Sequence, residues 1–165
     1  MYYYINSFYI YGFIGYIYEV IVGFLLHHKF FPNLLTEPIK PIYGFGVIII
    51  LLIQKIIFNK LKLSKKAKII TYFFTTIIVL TTLEYLSGIV LKMIFHKSFW
   101  NYSNYFLHIG KYICVWVSIL WGIMALLQYF LLKPKIDKII KKIPKWFTNI
   151  VLIITIIDIL ISLIN

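Results

Sequence analysis

Three acidic side chains stand inside long apolar stretches of the sequence, and they are the residues best suited to carry chemistry. They are Glu19, Glu84 and Asp158. A carboxylate at the centre of a bilayer costs roughly 2.5 to 3.5 kcal/mol on insertion scales, so it normally faces a bundle interior and marks a pathway, a proton site or a pairing partner. All three fall near mid-membrane or slightly outward of it. We therefore expect them to converge at one depth.

Small and polar residues share a helical face with each acid, which supports an inward orientation. Such residues let two helices approach closely. Beside Glu19 they are Gly12, Gly15 and Gly23; beside Glu84 they are Thr81, Ser87 and Gly88; beside Asp158 they are Thr155, Ser162 and Asn165; a fourth stripe is Cys114, Ser118, Gly122 and Ala125. A purely structural interpretation stays open, in which the acids are hydrogen-bonded to Tyr, Ser or Thr and simply hold the bundle together.

The elements that position these acids are apolar runs of membrane-spanning length. Of the 165 residues 62% are hydrophobic and the mean hydropathy is +0.91, whereas soluble domains are roughly 45 to 50% apolar. About 20 apolar residues cross a bilayer as a helix. The runs are Ile5 to Leu26, Ile42 to Phe58, Ile69 to Phe95, Tyr112 to Leu132 and Trp146 to Ile164. The sequence predicts one all-α transmembrane domain, 1–165, a polytopic bundle of about five spans.

The lysines indicate how the bundle is oriented. Of 17 lysines, eleven fall in two connections, 60–68 and 133–145, and only four fall in the connections on the opposite side. Positive charge accumulates in cytoplasmic loops. The pattern therefore predicts that the N-terminus is cytoplasmic. Because the lysines lie between apolar runs rather than on one soluble face, the net charge of +12 is not typical of nucleic-acid binding.

The second lysine-rich connection contains an amphipathic segment at about 135–143. Isoleucines recur there at helical spacing, and lysines occupy the other face. Such a helix would lie on the inner leaflet, where each lysine near anionic lipid contributes about 1 kcal/mol. Alternatively, the segment is a docking surface for a cytoplasmic partner.

Both outer connections carry unusual residues. The segment Leu35 to Gly46 enters the second span and includes Pro41, Tyr43, Gly44 and Gly46. Its two prolines and two glycines predict a re-entrant turn or a segment that lines a cavity. The third connection contains the second group, which is Trp100, Asn101, Tyr102 and Ser103. These aromatics suit the outer interface, and an aromatic belt alone would explain them. We take both groups as candidates for an outer gate or binding surface.

Recognisable catalytic and cofactor motifs are missing from the sequence. It contains no phosphate-binding G-x-x-x-x-G-K-[ST] loop, no H-E-x-x-H and no G-x-S-x-G, and its four histidines lack metal-ligand spacing. The single cysteine, Cys114, cannot form an intrachain disulfide and suits a small buried position. We expect no metal, no cofactor and no ATP hydrolysis by this chain itself.

Five short motifs, in order, resemble a known family. They are Tyr11-Gly-x-x-Gly-x-x-x-Glu19, Pro41-Ile-Tyr-Gly-Phe-Gly46, Glu84-Tyr-x-x-Gly88, Trp100-Asn-Tyr-Ser103, and Gly110-Lys111 followed by Ser118 and Trp121-Gly122. From about Ile10 to the C-terminus the chain looks like the putative ABC-transporter type IV family of CmpB-like bacterial membrane proteins. The resemblance implies a protein of the bacterial cytoplasmic membrane with a permease-like role, a label that rests on analogy within the family.

Three departures from the family pattern concern charged or turn residues. The stretch 31–38 lacks the usual Asn-Arg-Gly-Phe and Gly-Pro pattern, Asn101 replaces the acid of the tryptophan motif, and Lys92 replaces an acid that often follows the third span's glycine. If the charged groups at those positions take part in chemistry in relatives, this chain has lost or changed that chemistry.

The leading functional hypothesis is a permease-type component that moves or binds a small solute or lipid-like molecule. A separate cytoplasmic ATPase would supply energy, and homo-oligomerisation is plausible for so few spans. One alternative is a membrane-embedded or lipid-modifying enzyme that uses the intramembrane acids. Another is a structural assembly factor. The enzyme hypothesis predicts approaching acids and an open cleft, whereas the transport hypothesis predicts a cavity reachable from one side.

Overall fold

The chain folds as a helical membrane protein. A computed structural model describes residues 1–27 and 38–164. Within those residues, five helices are long and apolar enough to cross a membrane: Tyr2–Leu25, Pro41–Asn59, Lys65–Phe95, Val115–Ile140 and Lys145–Ser162. Because a bilayer offers no water to exposed backbone groups, helices of this length satisfy their own amides. The predicted all-α, five-span fold class is confirmed.

The helices and the one small hairpin follow a simple order. The elements are α1 (Tyr2–Val22), a π-helical turn (Gly23–His27), α2 (Pro41–Asn59), α3 (Lys65–Phe95), β1 (His108–Ile109), β2 (Ile113–Cys114), α4 (Val115–Leu127), a second π-helical segment (Gln128–Leu132), α5 (Lys133–Ile140) and α6 (Lys145–Ile164). The strands pair antiparallel, with His108 opposite Cys114.

Local residue chemistry explains where α2 and α3 begin. Proline is compatible with the first turn of a helix, because its missing N–H has no helical partner there, and α2 begins at Pro41. The predicted turn was therefore wrong for residues 41–46, which form the first part of a helix. Residues 35–37 of the predicted segment lie outside the described residues, and the cavity-lining alternative stays a prediction. Ser64 caps α3 by accepting a hydrogen bond from the Ala67 amide at 3.3 Å.

Helix α5 is a direct continuation of the fourth spanning helix. It ends at Ile140, short of the predicted boundary near residue 143. Ile136 and Ile140 are buried, whereas Ile139 is 54% exposed. Two of the isoleucines of the amphipathic segment thus pack within the protein, and Ile139 faces outward beside exposed lysines.

The chain divides into two compact units. Unit 1 comprises Met1–Ile48 and Lys135–Asn165, and unit 2 comprises Ile49–Pro134. In unit 1 the start of α1 packs on the residues around α5 and α6. The Tyr3 hydroxyl donates to Asp137 at 2.8 Å, and the Thr148 hydroxyl donates to the Asn6 side chain at 2.8 Å. The N-terminus consequently lies at the same end of unit 1 as the second lysine-rich connection.

Unit 2 is built around the antiparallel pair of α3 and α4. Its core contains Ile50, Ile53, Ile57, Tyr72, Leu80 and Ala125. A buried polar network crosses this core, because the Gln54 side-chain amide donates to the Tyr72 hydroxyl at 2.8 Å and to Gln128 at 2.6 Å. Gln128 is also the first residue of the π-helical segment. Such hydrogen bonds between membrane helices contribute roughly 0.6 to 2 kcal/mol each.

Candidate functional site

Glu19 and Lys40 form an ion pair in unit 1. The Lys40 Nζ atom lies 2.6 Å from a carboxylate oxygen of Glu19, and the two side chains are 9% and 22% exposed. Lys40 immediately precedes α2, and its backbone amide donates to the Gly12 carbonyl at 3.1 Å. The segment entering α2 is thus held against α1 by both its backbone and its charge.

The glycines of α1 make that close approach possible. A β-carbon at Gly12 would lie 2.6 Å from the Ile39 side chain, and one at Gly15 would clash with the Cγ atom of Tyr43. Gly44 of α2 is covered in the same way by Phe8. The glycine faces predicted from spacing therefore serve the contact between α1 and the start of α2, whereas Gly23 lies at the start of the π-helical turn.

Asp158 lies on the buried face of α6. It is 5% exposed, and Thr155, one turn earlier, is 6% exposed. The Thr155 hydroxyl donates back to the Val151 carbonyl at 3.1 Å. Thr148, two turns before Thr155, is also buried. The polar side chains of α6 thus share one inward face, as their spacing predicts, although Asn165 lies outside the described residues.

Glu84 is held in unit 2 by two neutral hydrogen-bond donors. It is 3% exposed. The Tyr102 hydroxyl donates to its Oε1 atom at 2.8 Å, and the Trp121 indole donates to its Oε2 atom at 2.9 Å. Tyr102 comes from the α3–α4 connection and Trp121 from α4. One carboxyl group therefore ties together α3, α4 and the chain segment between them.

Backbone hydrogen bonds fix the α3–α4 connection that delivers Tyr102. The Tyr102 amide donates to the Lys111 carbonyl at 2.8 Å. Asn101 accepts a hydrogen bond from the Ser103 amide at 2.9 Å. Gly110, in the turn between the strands, has a φ of 64°, which glycine adopts without strain. The candidate residues Trp100 to Ser103 thus belong to an ordered segment that reaches a buried acid.

The aromatic rings of the connection also cover α3 one turn beyond Glu84. The Tyr112 ring lies against Gly88, where a β-carbon would come within 2.6 Å of it. Trp100 meets Tyr112 edge to face, with ring centroids 6.1 Å apart. The fourth-span stripe is buried as well, and Gly122 packs against Phe73 and Ile77.

Sequence reasoning missed the partners of the acids. Lys40 counted only as a loop lysine, and Tyr102 and Trp121 were not assigned to Glu84. The polar residues Gln54 and Gln128 inside apolar runs were the available signal for the network in unit 2. Glu19 and Asp158 lie in unit 1 and Glu84 in unit 2, and the convergence of all three stays a prediction. The described residues contain no cluster of three or more histidine, cysteine or acidic side chains suited to a metal.

The fold and the buried acids define the class of this chain as a polytopic integral membrane protein. It belongs to the family described as "Putative ABC-transporter type IV", whose model matches residues 6–165. The match covers nearly the whole chain and confirms the resemblance seen in the five short motifs. No curated protein and no solved structure matches the sequence.

Proposed function

We propose that the protein is a permease-type component that binds a small solute or lipid-like molecule and moves it across the bacterial cytoplasmic membrane. One observation carries the proposal: in each unit, a segment that connects two spans engages an acid that lies within a span. Lys40 engages Glu19 in unit 1, and Tyr102 engages Glu84 in unit 2. Intramembrane acids of this kind commonly mark pathways for solutes or ions.

Both connecting segments belong to the lysine-poor side of the sequence. By the positive-inside rule this side is the outer one. The contact of the N-terminus with Asp137 at the second lysine-rich connection supports a cytoplasmic N-terminus. Under this topology each acid contact closes the outer end of its own unit. Separating Lys40 from Glu19 in unit 1, or Tyr102 from Glu84 in unit 2, would expose that acid to solutes arriving from outside, and Asp158 would line the interior of unit 1.

Energy for transport would come from a separate cytoplasmic ATPase. The sequence has no phosphate-binding loop of its own. The exposed lysines Lys138, Lys141 and Lys142 offer a positively charged surface for an acidic partner or for the inner leaflet. A homo-oligomer would complete a pathway that five spans alone form less readily.

Affinity purification of the tagged protein from mild detergent, followed by mass spectrometry and an ATP-hydrolysis assay, tests the proposal. We expect an ATPase to copurify, and expect Lys138→Gln, Lys141→Gln and Lys142→Gln together to reduce its recovery. The matched control replaces Lys97 and Lys111, on the opposite side, by Gln and should leave recovery unchanged. Isolation of the protein alone, or with lipid only, would favour the membrane-embedded enzyme.

A further inference from the structure

Glu84 is a buried carboxyl group with spare hydrogen-bonding capacity. Within residues 1–27 and 38–164, its hydrogen bonds come from the neutral groups of Tyr102 and Trp121, and no lysine or histidine pairs with it. Glu19, by contrast, has Lys40. A buried carboxylate without a positive partner is costly. A carboxylate offers about four acceptor positions, so about half of the positions of Glu84 are left for further donors.

Two side chains next to Glu84 have buried hydroxyl groups that make no hydrogen bond within the described residues: one lies on α3, and the other belongs to a ring that packs against α3. Thr81 lies one turn before it on the same helical face, and Gly88, covered by Tyr112, lies one turn after it. The hydroxyl oxygens of Thr81 and Tyr112 are buried and make no hydrogen bond within the described part of the chain. A hydroxyl group accepts hydrogen bonds as well as donating them. Thr81 and Tyr112 can therefore accept hydrogen bonds from the N–H groups of a ligand bound at Glu84.

Aromatic residues lie next to the same carboxyl group. Tyr102 and Trp121 contact it directly, and Trp100 packs edge to face on Tyr112. The faces of Trp and Tyr rings attract cations, the more so where water is excluded. An acid, free acceptors and aromatic faces together suit a ligand that carries both positive charge and N–H donors.

We propose that Glu84 and its neighbours bind a small organic cation that carries a protonated amine. This inference rests on the proposed function, since it names the class of solute that a permease-type component would carry. The ammonium N–H groups donate to the Glu84 carboxylate and to the hydroxyls of Thr81 and Tyr112. The alkyl part of the ligand lies against the aromatic rings.

Thermal unfolding of the purified protein in mild detergent tests the site with two matched probes, n-butylammonium and its neutral counterpart n-butanol. A ligand that binds the native state raises the Tm in a concentration-dependent, saturable way. We expect this increase with n-butylammonium only. In Glu84→Gln the apparent affinity should fall roughly ten- to hundredfold, because a charge-assisted hydrogen bond is lost. Asp137→Asn, which alters an acid of unit 1 rather than of unit 2, should keep the wild-type affinity.

A second variant covers the case in which Glu84→Gln does not fold. Tyr112→Phe removes a hydroxyl that has no partner in the described residues, so it should fold and should weaken n-butylammonium binding several-fold. Three results would overturn the inference: no saturable stabilisation of the wild-type protein, equal stabilisation by n-butanol, or wild-type affinity in the variant that folds.

The two proposals fail in different ways. Binding of n-butylammonium requires no partner protein. Intact binding without a copurifying ATPase would contradict the transport partnership and leave the amine site in place. A copurifying ATPase without amine binding would overturn the amine site only.

Discussion

Lys40 and Glu19 form an ion pair across two consecutive segments of unit 1, with 2.6 Å between Nζ and a carboxylate oxygen. The pair connects the beginning of α2 to the second half of α1, and the Lys40 amide adds a hydrogen bond to Gly12. The ion pair and the backbone hydrogen bond therefore stabilise the same contact, between α1 and the start of α2. The ion pair is also the simplest place to test how strongly the start of α2 is held against α1.

Removing one partner of this ion pair should destabilise the protein more than removing both. Lys40→Met leaves the Glu19 carboxylate without its counter-charge, and breaking a buried pair costs about 3 to 5 kcal/mol, somewhat less for the partly exposed Glu19. The double variant Lys40→Met with Glu19→Gln should recover much of the loss. Thermal unfolding in detergent measures both. Additive losses in the double variant would show that the two side chains do not interact.

A side chain at Gly15 should separate α1 from α2. In Gly15→Ala the new methyl group would occupy the space of the Tyr43 ring, and overpacking of this kind costs roughly 1 to 3 kcal/mol. Adding Tyr43→Ala makes room and should reduce the cost of the glycine substitution. A double-mutant cycle on the free energy of unfolding checks the coupling. An unchanged cost of Gly15→Ala in the Tyr43→Ala background would contradict close packing at this position.

Loss of either donor to Glu84 should loosen the α3–α4 connection. Tyr102→Phe and Trp121→Phe each remove a hydrogen bond to a buried carboxyl oxygen, which costs about 1.5 to 3 kcal/mol when the acceptor is charged. Tyr105→Phe is the control, because Tyr105 is 45% exposed and should tolerate the change. Limited proteolysis of the connection and unfolding measurements report the loosening. Equal stability of all three variants would mean that Glu84 does not anchor the connection.

Cysteine labelling should establish the orientation of the spans. Cys114 is buried and is first replaced by Ala. In that background Asn104→Cys, in the α3–α4 connection, should react with a membrane-impermeant maleimide added outside whole cells. Ser64→Cys, at the start of α3, should react only after the membrane is opened. Both residues are exposed on the protein. Reaction of both cysteines from the same side would contradict the proposed topology.

The spans were predictable from sequence because a bilayer leaves the backbone few alternatives. A run such as Ile69 to Phe95 must satisfy its amides internally, so a long helix follows from composition alone. The start of α2 was not predictable in the same way. Pro41 permits both a turn and a first helical turn, and only the packing of Tyr43 and Gly44 on α1 selects the helix.

The spacing of residues in the sequence could not predict the hydrogen-bond and ion-pair partners of the acids. Helical periodicity relates residues within one helix, whereas the Glu84–Tyr102 contact depends on how the chain between α3 and α4 folds back. Tyr102 looked like an interfacial aromatic, and Lys40 looked like an ordinary loop lysine. Each has an apolar stem and a polar end, so composition alone does not distinguish an interfacial position from a buried hydrogen bond.

The hydrogen bonds from Tyr3 to Asp137 and from Thr148 to Asn6 join opposite ends of the chain. Unit 2 is one continuous stretch, Ile49–Pro134, whereas unit 1 needs both the first and the last helices. During synthesis on the ribosome, unit 2 can therefore assemble as soon as α4 has been inserted. The face of α1 that contains Asn6 stays exposed to lipid until α6 has been inserted. During that interval it is the part of the nascent protein that most needs a chaperone or an insertase.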